Sequence, residues 1–149
     1  MYFNNVHPWM PIISKRHYYQ RFDDPQYELC ADIALLIVTM RLILWSPSPS
    51  TAYEGYKSRM YQAAKQYYAG LETAGLLTLP ILQAGVLITL YEFGHAIYPS
   101  AYFSIGACAR YGVALGIDRA ASLLAEKSSL WVEIEEKRRV WWAILILDR

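Results

Sequence analysis

At 149 residues the chain is long enough for one domain with a hydrophobic core and too short for two. Apolar residues make up 55% of it and charged residues 18%, against about 25% charged in ordinary soluble domains. That excess of apolar surface fits a membrane protein or part of a larger globular body, while a net charge of +1 excludes broad electrostatic attraction to nucleic acid or acidic lipid.

The first residues, "MYFNNVHPWMPIISKRHYY", have no basic start followed by an apolar run, so no secretory signal is read there. They also lack a helical period, and residues 1–22 are read as an extended arm laid over a helical body at 23–149. Asp23 or Asp24 with Pro25 and Glu28 predicts the first helix start. Leu29, Ile33, Leu36, Ile37, Met40 and Leu44 then recur at helical spacing. Two prolines in "SPSPS", Ser46 to Ser50, end that helix.

A second helix is expected after Ser50 or Thr51. It is amphipathic, with Tyr53, Tyr56, Met60, Ala63, Ala64, Tyr67 and Leu71 on one face, and Gly75 is its stop. Thr78 and Pro80 open a third helix running to Gly94, and Pro99 with Ser100 opens a fourth. The fourth carries Gly106, Ala107, Ala109, Gly112 and Gly116, where a neighbouring backbone can come close. "GIDRAASLLAEKSSL" is read as a loop with a short helical turn at 120–126. A last helix follows, with Glu133–Lys137 and Glu135–Arg139 spaced four apart in the favourable order. No strand-type alternation runs for a useful length, so the fold class is all-α: a multi-helix bundle with about five helices after the arm.

The longest charge-free window, Thr73 to Tyr91, approaches the length of a membrane span. Gly75, Thr78, Pro80, Gln83, Gly85 and Thr89 interrupt it and glutamates flank it, so no membrane insertion is expected. Cys30 and Cys108 lie far apart among apolar residues and read as reduced, buried thiols. With His7, His17 and His95 they offer no converging metal ligands. Cys108 and His95, thirteen residues apart across a helix break, make a poor nucleophile and base. Glu133, Glu135 and Glu136 are interleaved with basic residues that would neutralise them, so no catalytic, cofactor-binding or metal site is assigned. "KRR", Lys137 to Arg139, reads as a salt-bridged helix face and not as a phosphate-binding patch. A rival reading gathers Tyr53, Tyr56, Tyr67, Tyr68, Tyr91, Tyr98, Tyr102 and Tyr111 around a small-molecule cavity, as in a small helical ligand-binding protein or enzyme.

Four segments carry a resemblance in register: "VHPWMPIISKRHYY", Val6 to Tyr19; "LTLPILQAGVLITLYEFG", Leu77 to Gly94; "ACARYGVALGIDR", Ala107 to Arg119; and "EEKRRVWWAILILDR", Glu135 to Arg149. In that order the chain resembles the middle homology region of fungal binuclear zinc-cluster transcription factors, the all-helical regulatory domain. The resemblance implies a single partial regulatory domain over 1–149, continued by further helices beyond Asp148 and Arg149. It also implies a nuclear protein that modulates transcription. Zinc and base recognition belong, on that resemblance, to a six-cysteine cluster outside this segment, so no cofactor or metal is expected within it. The partners to expect are the remainder of the parent domain, a second copy of the chain, and a small-molecule inducer or co-regulator; no direct nucleic acid contact and no membrane are expected. Glu135, Glu136, Arg138, Arg139, Asp148 and Arg149 are expected to hold helices together. Trp141 and Trp142 are expected to point to different sides of their helix, at least one of them toward the rest of the parent domain.

Overall fold

The computed structural model describes residues 1–26, 28–46, 58–120 and 128–149. Among them are eight helices and no strand: α1 (Tyr2–Asn5), α2 (Lys15–Asp23), α3 (Ala31–Leu42), α4 (Arg59–Thr73), α5 (Leu79–Gly94), α6 (Ser100–Ala114), α7 (Ile117–Ala120) and α8 (Ser128–Leu147). The all-α expectation holds.

The N-terminal segment corrects the reading of residues 1–22 as an extended arm. It carries α1 and α2, and between them Val6, Met10, Ile12 and Ile13 are buried in the core. Helix α2 has one apolar face, with Tyr18 packed against the core, but it is only nine residues long and buries no residue completely, so its spacing did not stand out. It forms because the Ser14 hydroxyl accepts from the amide of His17 at its N-terminus. Its aromatic residues then lean on α1: Phe3 and Tyr18 meet edge to face at 5.4 Å, and Tyr18 meets Phe22 at 5.1 Å.

Asp23 and Asp24 end α2 where the sequence suggested a start. Asp24, preceding Pro25, is extended with ψ of 118°, the geometry a following proline imposes. Helix α3 begins only at Ala31, so Leu29 and Cys30 lie exposed in the connection, against the expectation of a buried thiol at Cys30. Cys108 is buried as expected.

The start of the second predicted helix at Ser50 or Thr51, and most of the "SPSPS" break before it, fall outside the described residues, as does most of the turn predicted at 120–126. From Ser58 onward the chain is clear: its hydroxyl accepts from the amide of Tyr61 and caps α4. Gly75 closes the α4 end in the left-handed region at φ +74°, which glycine enters without a Cβ penalty.

Helix α5 is the axis of the fold. Pro80 sits in its first turn, and it is apolar on every side: Ile81, Leu82, Ala84, Val86, Leu87 and Tyr91 are fully buried. A helix of that kind needs neighbours all round, and α3, α4, α6 and α8 supply them. Thr78 precedes α5 as predicted, but its hydroxyl donates to Asp32 Oδ2 at 3.0 Å and so ties α5 to α3 instead of capping its own helix.

At the two glycines inside α6 the space is not taken by a neighbouring backbone. Gly112 lies under the indole of Trp141, where an added Cβ would come within 3.0 Å of the ring, and Gly106 faces open space. At the end of α3, Trp45 stacks on His95, which stacks on Tyr91 at 4.0 Å, which stacks on Tyr61 at 5.4 Å. This column joins α3, α5 and α4.

Candidate functional site

Three of the four segments that carried the resemblance meet at one buried joint. Glu136 on α8 is buried. Its Oε1 accepts from the amide of Ser14 at 2.8 Å and from Gln83 Nε2 at 2.9 Å, and its Oε2 pairs with His17 Nδ1 at 3.0 Å. Gln83 Nε2 also donates to the carbonyl of Ile12 at 2.7 Å. The Pro-Ile entry segment, the Leu-Gln-Ala step of α5 and the acidic turn of α8 are therefore held by a single carboxylate.

The fourth segment serves the same end elsewhere. The Tyr111 hydroxyl donates to the carbonyl of Leu76 at 2.7 Å and accepts from the amide of Thr78 at 3.0 Å, closing the α4–α5 turn.

A second buried carboxylate sits in the seam of α4, α5 and α6. Glu92 is fully buried, and its Oε1 accepts from Tyr61 Oη and from Lys65 Nζ, each at 2.7 Å. Lys65 also donates to Ser104 Oγ on α6. Glu92 Oε2 has no hydrogen-bond partner. Burial pushes the Tyr61 phenol well above its ordinary range, and the neighbouring carboxylate adds to that.

Beside this seam lies a cavity of about 200 Å³ lined by Lys65, Tyr68, Ala69, Glu72, Gly85, Ile88, Phe103, Ser104, Ala107 and Cys108. The tyrosine-lined pocket of the rival reading is not what forms. Of the tyrosines proposed for it, Tyr68 lines this cavity, Tyr91 and Tyr111 are committed to helix contacts, and Tyr67, Tyr98 and Tyr102 are exposed. Tyr53 and Tyr56 lie outside the described residues.

Cys108 and His95 are not brought together. Burial pushes the thiol up to about 12, so at neutral pH it is no thiolate. His95 stacks on Tyr91, with its Nδ1 at 2.9 Å from that residue's carbonyl. No group of three His, Cys, Asp or Glu among the described residues is placed to hold a metal ion, and no described helix is long and apolar enough to cross a membrane.

The basic run of α8 is paired as the spacing indicated. Lys137 meets Glu133 at 2.8 Å, Arg138 meets Glu135 at 2.6 Å, and Arg139 meets Glu135 at 3.0 Å. The Lys137 hydrogen bond holds the Glu133 carboxyl below its ordinary value; at Glu135 burial acts upward, but the two arginines together outweigh it.

Outside that face, Trp141 packs on Gly112 while Trp142 is 59% exposed. With Trp9, Leu90 and Ile146, Trp142 lines an apolar groove of about 740 Å³ bordered by Glu135, Arg138 and Arg139. The sequence signalled this face through its paired tryptophans; it gave no sign that Trp9, 133 residues earlier, would join it.

No solved structure matches the chain. Among curated proteins it is 43% identical to the transcription factor BOA15 of Botryotinia fuckeliana, over 93% of this chain and 76% of that protein. It is 29% identical to the pigment biosynthesis transcriptional activator pigB of Monascus ruber, over 100% of this chain and 28% of the relative. To the azaphilone cluster-specific transcription factor azaR of Aspergillus niger it is 28% identical, over 99% of this chain and 33% of the relative. The chain thus spans about three quarters of BOA15 and a third or less of the other two. With residues 1–149 all matched by the family described as the fungal specific transcription factor domain, and its motifs meeting at one joint, the chain belongs to that family.

Proposed function

We propose that the chain serves as the regulatory module of a nuclear, pathway-specific transcription factor, acting by contact and not by turnover. The observation that carries this reading is the outer face of α8. Trp9, Trp142 and Ile146 stand 58%, 59% and 65% exposed around one apolar groove, and contiguous apolar patches of this kind mark interaction surfaces. In a factor the length of pigB or azaR, the remainder of the regulatory domain is the natural cover for that groove, its charged border setting the register of the contact. Zinc and base recognition would reside in a cysteine cluster elsewhere in such a factor. The names of the two longer relatives, a pigment activator and an azaphilone cluster regulator, support control of one biosynthetic gene set.

The test joins residues 1–149 to an unrelated DNA-binding module in a fungal host and reads a reporter gene and a fluorescent tag. The expected result is nuclear signal and a several-fold change in transcription relative to the module alone, lost on Trp142→Asp. Unchanged transcription, or product formation by the purified chain with a metabolite, would defeat the proposal.

A further inference from the structure

We propose that the outer face of α6 is a contact surface for a second copy of this chain, the two α6 helices crossing antiparallel about a twofold axis at Gly106. The face shares no residue with the α8 groove. Tyr102, Phe103 and Val113 stand 70%, 67% and 55% exposed on it, and Arg110 is exposed beside them. Positions 102, 103, 106, 110 and 113 fall within about a third of a turn on a helix of 3.6 residues per turn, so three apolar or aromatic side chains and one cation share a single stripe. Gly106 is its centre, and a Cβ added there would meet nothing within 4 Å.

The occupant follows from what α6 carries and what it lacks. No acidic residue occurs in it, and Arg110 makes no ion pair with the described residues. A guanidinium without a carboxylate is matched by the face of an aromatic ring, and the same stripe offers Tyr102. Ring and cation lie four residues to either side of Gly106, about 12 Å apart along the helix, too far to serve each other within one copy. A twofold axis through Gly106 runs the second helix the opposite way and lays Tyr102 of each copy beside Arg110 of the other. Both matches form together, because a twofold contact repeats every pair.

The geometry is one that helices favour. Setting the 102–106–110 ridge of each copy beside its counterpart gives the commonest helix crossing, at about 50°, and Gly106 lets the two backbones come close where they cross. The two Arg110 side chains then stand about 12 Å apart along the helix direction, beyond the screening length of about 8 Å at physiological salt, so their repulsion is weak. An acidic partner would answer Arg110 alone; a second copy answers the cation, the ring and the gap at Gly106. What pairing does for transcription rests on the regulatory reading above; the pairing itself does not.

The test is sedimentation of the 1–149 chain over a concentration series, in which the mass should rise from 17.1 kDa toward twice that value. Gly106→Leu should weaken association roughly tenfold or more without lowering the melting temperature, because leucine has room at that position and favours the helix. Arg110→Glu should weaken it likewise, and Tyr102→Arg/Arg110→Glu should restore it by replacing each ring contact with a salt bridge. In a Cys30→Ser background, Gly106→Cys should give a disulfide-linked dimer on mild oxidation and Val113→Cys should not. A chain that stays monomeric at its highest soluble concentration would overturn the proposal. So would association that survives Gly106→Leu and is lost on Trp142→Asp, which would place the contact in the α8 groove. Reporter regulation by a strictly monomeric chain would also remove the pairing, and would leave the regulatory reading standing.

Discussion

Glu136 and Glu92 are both buried carboxylates on long helices, yet they end differently. Glu136 has partners on both oxygens, and they come from two separate parts of the chain, the N-terminal segment and α5. Glu92 has Tyr61 and Lys65 on one oxygen and nothing on the other. A completed network specifies one arrangement, whereas a partly satisfied one stores cost and can be resolved in more than one way. The first carboxylate therefore fixes the topology. The second lies in the seam of α4, α5 and α6 and leaves one oxygen unsatisfied.

Removing the finished joint should do the most damage. Glu136→Ala leaves the Ser14 amide and the side chains of Gln83 and His17 short of their acceptor. At about 1–3 kcal/mol for a buried group so stranded, a loss of about 3 kcal/mol is expected. Urea unfolding measures it; a loss under about 1 kcal/mol would show that the joint is not what holds the N-terminal segment.

The unfinished site should respond asymmetrically. Lys65→Met leaves the buried Glu92 charge with only the Tyr61 hydroxyl and should cost about 2 kcal/mol, less than breaking a fully buried pair because Lys65 is itself partly exposed. The double change Lys65→Met/Glu92→Leu should recover to within about 1 kcal/mol of the parent, because removing a buried pair together is far cheaper than breaking it. If the double variant is no better than the single one, Glu92 is needed for packing and the contrast with Glu136 fails.

The smallest effect is a pH dependence away from both carboxylates. Burial, then the charges of Arg139 and Lys15, lowers the His7 pKa below its ordinary 6.5. The unfolded chain then takes up that proton first, so stability is complete above about pH 6.5 and falls as the pH drops below it. Glu133 and Glu135, held below 4.5 by their basic neighbours, give stability that is present above that value and lost on further acidification. A melting series from pH 8 to 4 should be level at first and then decline in two stages. His7→Phe should remove the first stage and spare the second.

Much of the fold was legible because long helices announce themselves. The apolar recurrence of α3, the Thr78 and Pro80 opening of α5, the Gly75 stop and the four-residue charge spacing of α8 are local devices, each written within a few consecutive residues. Helix α2 was not legible: its apolar face rests on a few aromatic residues within nine positions, too short a run to stand out, and Asp24 before Pro25 serves the end of one helix as readily as the start of another. Gly112 of α6 was read for a backbone approach, but a gap between helices can be filled by a ring as well as by a main chain, and Trp141 filled that one.

Sequence alone determined that this chain is helical, that it carries no obvious catalytic or metal-binding pattern, and that α8 has more apolar surface than one face can bury, since these follow from composition and short-range spacing. Tertiary structure decided that Ile12, Gln83 and Glu136 share one joint, that Trp9 joins Trp142, and that Tyr68 ends beside Cys108. Such contacts join residues 40 to 133 positions apart, and no local periodicity encodes a separation of that length; only the packing of the helices around α5 sets it.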